Sequence, residues 1–152
     1  MLHLVLTPRW LVLTWRLPAA SSTPRVATWR SLQRIGAVSL TPGAAILPHT
    51  EHLLEQLEWI AEDIVQRGGE AYVLPVTELT EADEEEIRRR VREESRLEYA
   101  QLREAAGRTR DDREVAALQR ALERAIERDH FSSVGRAGAE RAVRQAARRK
   151  EA

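Results

Sequence analysis

Arg25, Arg30 and Arg34 fall within one ten-residue stretch, RVATWRSLQR. A guanidinium is a permanent cation with five N–H donors in a planar fork, a geometry that suits phosphate or another oxyanion. No aspartate or glutamate occurs anywhere in residues 1–50 to neutralise these charges locally. On a helix, the spacings of five and four put Arg30 and Arg34 on one face and Arg25 about 140° from Arg30. The three are therefore not a single stripe. Arg25, in the first turn, can add its charge to the free N–H groups of a helix start and hold an anion there. The plain alternative is a solvated helix face, with arginines paired to the acids of residues 81–94.

Other chemistry has thinner support. His49 and His52 are three apart, with Glu51 and Glu55 beside them. A metal site needs three or four converging ligands, so no metal and no cofactor are expected. There is no cysteine, hence no thiolate nucleophile, thiolate ligand or disulfide. No P-loop, G-x-S-x-G or H-E-x-x-H is present. The chain reads as non-enzymatic. Its tryptophans, 10, 15, 29 and 59, read as core residues, Trp29 and Trp59 because they fall on apolar helix stripes.

The charge sums to zero but is unevenly spread. Residues 1–50 hold five arginines and no acid, +5; residues 51–100 hold six basic and fifteen acidic residues, −9; residues 101–152 hold thirteen basic and nine acidic, +4. A bipolar chain can steer an anionic partner to one face or pair with itself. No stretch reaches the ~20 apolar residues of a membrane span. The apolar N-terminus, MLHLVLTPRWLVLTW, has no basic start and is interrupted by Arg9, so no signal peptide is expected. A cytoplasmic protein without a membrane partner is the expectation.

The elements that must position these residues follow from periodicity. WLVLTWRL, 10–17, reads as a strand ending at Pro18. Thr23 caps a helix with Pro24 at its first position, where the missing N–H costs nothing. Val26, Trp29 and Leu32, with Gln33 and Ile35, mark its buried face. Gly36 stops it. AVSL and AAILP flank Thr41-Pro42-Gly43, a type II turn with glycine at the positive φ, and form a hairpin ending at Pro48. Thr50 caps a second helix with Leu53, Leu54, Leu57, Ile60, Ala61 and Ile64 inward, and Gly68-Gly69 end it. AYVLPV, 71–76, is a fourth strand, which Pro75 confines to a sheet edge. The order strand–helix–strand–strand–helix–strand is the ferredoxin-like α+β pattern. We therefore expect a ferredoxin-like core over 10–78 and a helical extension of two to three helices over 79–152. In the extension, Thr80 with Asp83 or Glu84 resembles a capping box. Ile87, Val91, Leu97 and Leu102 give a thin stripe, 111–128 a second helix and 138–150 a third. The extension packs on the sheet or serves as a dimerisation arm.

Trp15, Leu17-Pro18, Arg25-Val26-Ala27-Thr28-Trp29-Arg30, Ile35-Gly36-Ala37, Gly43 and Leu47-Pro48, in this order and spacing, resemble the N-terminal domain of the chromate-resistance regulator family ChrB. That pattern is a strand ending in Leu-Pro, a helix with R-x-x-x-W-R, a glycine stop and a hairpin ending in Leu-Pro. The resemblance runs on through Gly68-Gly69-Glu70-Ala71, through Glu98-Tyr99, and into Arg128-Asp129-His130-Phe131. It departs at Ala44-Ala45, where bulkier residues are usual, and at His130, where the family has an aromatic. The helix–hairpin unit is more distantly similar to the sheet domain of PaaX-type transcriptional repressors and to the small CRISPR adaptation nuclease. That nuclease holds metal through an acid at the end of its first strand, and no such acid exists here. The resemblance implies transcriptional regulation by DNA binding, with a response to chromate. Arg25, Arg30 and Arg34 would be the nucleic-acid or oxyanion contacts, and Trp15, Pro18, Trp29, Gly36, Gly43, Pro48, Gly68 and Gly69 the structural motif. Full-length members carry a second, C-terminal domain, so the alternative is a module that docks a separate ChrB C-terminal domain or self-associates. The candidate partners are thus DNA, the chromate oxyanion, that domain and a second copy.

Overall fold

The structure is a computed structural model that describes residues 7–19 and 22–151. The first six residues of the apolar N-terminal run lie outside the described residues. The chain divides into two compact units, one running to Asp83 and one from Glu84.

The first unit contains β1 (Trp10–Arg16), α1 (Thr23–Arg34), β2 (Val38–Thr41), β3 (Ala44–Pro48), α2 (Glu51–Gln66) and β4 (Glu70–Val76). The strands form one sheet in the order β2-β3-β1-β4. Every neighbouring pair is antiparallel. This is the ferredoxin-like α+β core, followed by three C-terminal helices. In β1, the residues Leu11, Leu13 and Trp15 alternate toward the core and are continued by Leu17; Ala45 and Leu47 do the same in β3. They meet Leu32 of α1 and Leu53, Leu57 and Ile64 of α2. Both helices therefore cover one face of the sheet. β4 is an edge strand, as its Pro75 requires.

Local rules explain most boundaries. Leu53 donates its N–H to Thr50 Oγ1 at 3.0 Å, the cap expected for α2. Asp83 donates to Thr80 Oγ1 at 3.2 Å, the first half of the expected capping box. Gly43 follows Pro42 at φ 85°. It is also wedged against β1: Trp15 donates its N–H to the Gly43 carbonyl at 2.8 Å, and a Cβ here would lie 2.6 Å from Trp15 O. Glycine is thus required both by the turn and by the strand beside it. Gly69 is similarly pressed on β1, since a Cβ there would lie 2.4 Å from Arg16 O.

Several expectations need correction. Thr23 is the first helical residue and not the cap; Ser22 precedes it in helical geometry and makes no side-chain cap. The buried face of α1 runs through Thr28 and Leu32, while Val26 is 46% exposed and Gln33 is exposed. Val26 sits about 120° round the helix from Leu32, too far to share its face. Trp59 is 69% exposed. It lies two residues, or about 200°, from the buried Leu57 and so points away from the sheet.

The second unit contains most of α3 (Glu81–Arg108), then α4 (Asp112–Arg128) and α5 (Arg136–Glu151). The last helix begins two residues earlier than its sequence pattern predicts. Asp111 caps α4 by accepting from the Glu114 N–H at 2.8 Å. The core joins Tyr99, Leu102 and Ala106 of α3 to Val115, Leu118 and Ala125 of α4 and to Ala139, Val143 and Ala146 of α5. Small residues on α5 bring the helices close. Leu97 is half exposed and Tyr99 takes its place in the core. Leu97 is six residues past the buried Val91, about 240° round the helix, whereas Tyr99 keeps near the stripe.

Candidate functional site

The three arginines of α1 are all exposed. None makes an ion pair or a side-chain hydrogen bond among the described residues. Three acids in the first half of the long helix α3 are paired with arginines one turn away. Glu84 pairs with Arg88 at 3.1 Å, Glu86 with Arg89 at 2.9 Å, and Glu93 with Arg96 at 2.9 Å. Hydrogen bonds from Arg89 and Arg96 hold the Glu86 and Glu93 carboxyls below the usual glutamate range. Arg30 and Arg34 share the outward face of α1 with Val26, and Arg25 stands apart at the helix start.

The neighbouring helix carries the opposite charge. Opposite its buried stripe, α2 presents Glu51, Glu55, Glu58 and Glu62, at spacings of four, three and four, with the exposed Trp59 beside them. No ion pair engages these four carboxylates among the described residues. Asp63, further round the helix, pairs with Arg67 at 2.9 Å. The outer layer of the sheet unit is thus a basic helix beside an acidic one. The acidic stripe is readable from its spacing, but only once the apolar stripe of the same helix has fixed which side faces out.

A second basic surface lies on α5. Its core residues Ala139, Val143 and Ala146 leave Arg141, Arg144 and Arg148 on the opposite side, all exposed and unengaged among the described residues. Arg149 is turned differently and donates to the Ala106 carbonyl at 2.8 Å. The composition of this segment shows its charge, but the stripe emerges only when the helix is phased on its alanines.

The motif residues divide by place. Trp15, Pro18, Gly43, Gly68 and Gly69 gather around the end of β1, where Arg16 also pairs with Glu70 of β4 at 3.1 Å. A Cβ at Gly68, which has φ 85°, would sit 3.7 Å from Pro18 Cγ. Trp29 packs against the core from α1. Gly36 closes that helix at φ 80°, and Pro48 ends β3. These positions shape the backbone and expose no reactive group.

The two outlying motif fragments meet. Arg128 at the end of α4 pairs with Glu98 of α3. Beside that pair, Tyr99 donates its hydroxyl to Asp129 Oδ2 at 2.8 Å. Asp129 also accepts from the Ser133 N–H at 2.7 Å and the Ser133 hydroxyl at 2.8 Å. Burial, aided by the hydrogen bond to Asp129, pushes the Tyr99 hydroxyl well above the usual tyrosine range. The Arg88 guanidinium stacks over the Phe131 ring at 4.9 Å. Sequence reading finds the fragments but not their pairing, which depends on the return of α4 past α3.

His52 is exposed and His49 half-buried, with the His49 N–H donated to Arg9 O at 2.9 Å. Among the described residues, no group of three His, Asp or Glu side chains could hold a metal ion. No described helix is long and apolar enough to cross a membrane.

The family model for "Protein ChrB, N-terminal" matches residues 25–119. This chain is 34% identical over 79 residues to Protein ChrB of Cupriavidus metallidurans. The alignment covers 52% of this chain and 24% of that protein, so the match spans about a quarter of the relative's length. No solved structure matches. The matched region takes in α1, the hairpin, α2, β4, α3 and the start of α4, and on that ground the chain belongs to the ChrB family, over its N-terminal domain.

Proposed function

We propose that this protein is a regulatory or accessory component of chromate resistance that binds DNA through the exposed arginines of α5. The observation that carries this reading is the stripe Arg141, Arg144 and Arg148, at spacings of three and four on one helix face, without intramolecular partners among the described residues. Guanidiniums so spaced, about 10 Å from first to last, can follow a phosphate backbone and gain affinity from released counterions. The face of Arg30 and Arg34 is less suited to DNA. It lies beside four unneutralised carboxylates of α2 that would repel phosphates. Arg25, outside that face, remains a candidate oxyanion contact. Membership of the ChrB family supports the link to chromate, which would act by changing DNA affinity. A cytoplasmic location and the absence of enzymatic activity belong to the same reading.

The test is fluorescence anisotropy of the protein with its own upstream duplex and with a scrambled duplex, with and without chromate. Selective binding that chromate weakens is the expected result. Equal binding to both duplexes, insensitive to chromate, would remove the regulatory reading. A second reading is favoured by the unpaired carboxylates of α2: a docking module for a separate ChrB C-terminal domain, without nucleic-acid binding. It predicts no anisotropy change with either duplex.

A further inference from the structure

The outer layer of the sheet unit carries cations on one helix, carboxylates on its neighbour, and uncovered apolar side chains among them. Among the described residues, Arg30 and Arg34 have no acid partner, and Glu55, Glu58 and Glu62 have no basic partner, although α1 and α2 pack side by side on the same face of the sheet. Val26 at 46% and Trp59 at 69% exposure stand on these same outward faces. An aromatic side chain beside rows of unpaired charge supplies the apolar area that an interface core uses. A single helix of one sign would fit many partners. Two adjacent helices of opposite sign fit a surface with the same pair in reverse.

We infer that this face docks a second copy of the chain. A two-fold axis lying in the interface, between α1 and α2, places α1 of each copy over α2 of the other. Such an interface is isologous, so each contact occurs twice. Arg30 and Arg34 of one copy meet the carboxylate stripe of the other, and the reciprocal set forms on the far side of the axis. Val26 and Trp59 lose their exposure to water between the charged rows. The planar fork of a guanidinium is well matched to a carboxylate, which accepts its paired N–H groups.

The size of the face sets the strength. Helices of about 18 Å and 24 Å lying 8–10 Å apart offer a footprint of roughly 400–500 Å² per copy. That is below the ~800 Å² per partner of a standard stable interface. The dimer is therefore reversible, concentration-dependent and sensitive to salt, because its charges are at a solvent-accessible rim. It forms independently of DNA binding. It occupies Arg30 and Arg34 with protein, whereas the arginines proposed to meet phosphate belong to α5 of the other unit.

The experiment is sedimentation velocity of the full chain across a concentration series, without DNA, at low and at high salt. A monomer–dimer equilibrium that shifts toward monomer at high salt is expected. Two charge-reversed variants then decide the surface: Arg30→Glu with Arg34→Glu, and Glu58→Arg with Glu62→Arg. All four positions are exposed, and circular dichroism of each variant confirms that the fold is kept. Each variant alone should be monomeric, because like charges now face each other. An equimolar mixture should dimerise again, since both reciprocal contacts regain opposite charges. A wild-type chain that stays monomeric throughout would overturn the proposal. So would variants that dimerise as well as wild type, or a mixture that fails to recover the dimer.

Discussion

Asp129 accepts three hydrogen bonds inside the helical unit, and one comes from the buried Tyr99 hydroxyl. Replacing Tyr99 by phenylalanine keeps the packing and removes that donor. A hydrogen bond to a charged group contributes about 1.5–3 kcal/mol, so the variant should lose stability of that order. The midpoint of the helical circular dichroism transition in urea measures it. The pH dependence has a definite sign. Folding raises the Tyr99 pKa above its ordinary value of about 10. Its contribution to stability is then complete below pH 10 and is lost as pH rises from there toward the folded-state value. The wild-type midpoint should therefore fall more steeply above pH 10 than that of the Tyr99→Phe chain. Parallel curves would show that Tyr99 is not protected as described.

At this scale the sequence is only partly legible. Trp59 reads as core when placed on the apolar stripe of α2, yet its position relative to Leu53, Leu57 and Ile64 turns it outward. Val26 and Leu97 fail for the same reason. A hydrophobic residue near a stripe is not on it, and a helix advances by 100° per residue. For the α1 arginines the sequence leaves two readings open, a phosphate-facing surface or pairing with the acids of residues 81–94, and in the structure all three are exposed.

The elements show where glycine decides structure and where it does not. Gly43 is held at φ 85° with Trp15 O pressed against it, so Gly43→Ala combines backbone strain with a clash. A loss of about 1–3 kcal/mol or more is expected, read from the tryptophan fluorescence transition of the sheet unit in denaturant. Gly107 is the opposite case. It lies within α3, and apart from its chain neighbours and its own helix backbone no atom stands within 4 Å of the place an alanine methyl would occupy. Gly107→Ala should raise stability by about 0.5–1 kcal/mol, since alanine is the better helix former. The same urea transition used for Tyr99 would show it. Equal effects of the two substitutions would contradict the assigned turn geometry. The order of elements along the chain and both helix stops are legible from the strand-forming runs, the Thr50 cap and the glycines. The join of Glu98-Tyr99 to Arg128-Asp129 is not, because nothing local in either segment specifies how α4 returns to α3.

For the whole molecule, zero net charge conceals surfaces of opposite sign. The long acidic segment neutralises part of its charge through pairs one helical turn apart, and exposed pairs of that kind contribute little to stability. Among the charges left over are those of α1, α2 and α5. We assign the first two to a second copy and the last to nucleic acid. Reversing Arg30 and Arg34 should then abolish self-association while leaving the salt dependence of DNA binding by the monomer nearly unchanged. The most direct test of the central claim is that salt dependence itself, measured by anisotropy on the upstream duplex for the wild type and for the chain carrying Arg141→Ala, Arg144→Ala and Arg148→Ala. Three lost phosphate contacts should reduce the slope of log affinity against log salt by about 2–3. An unchanged slope, with unchanged affinity, would contradict DNA binding by α5.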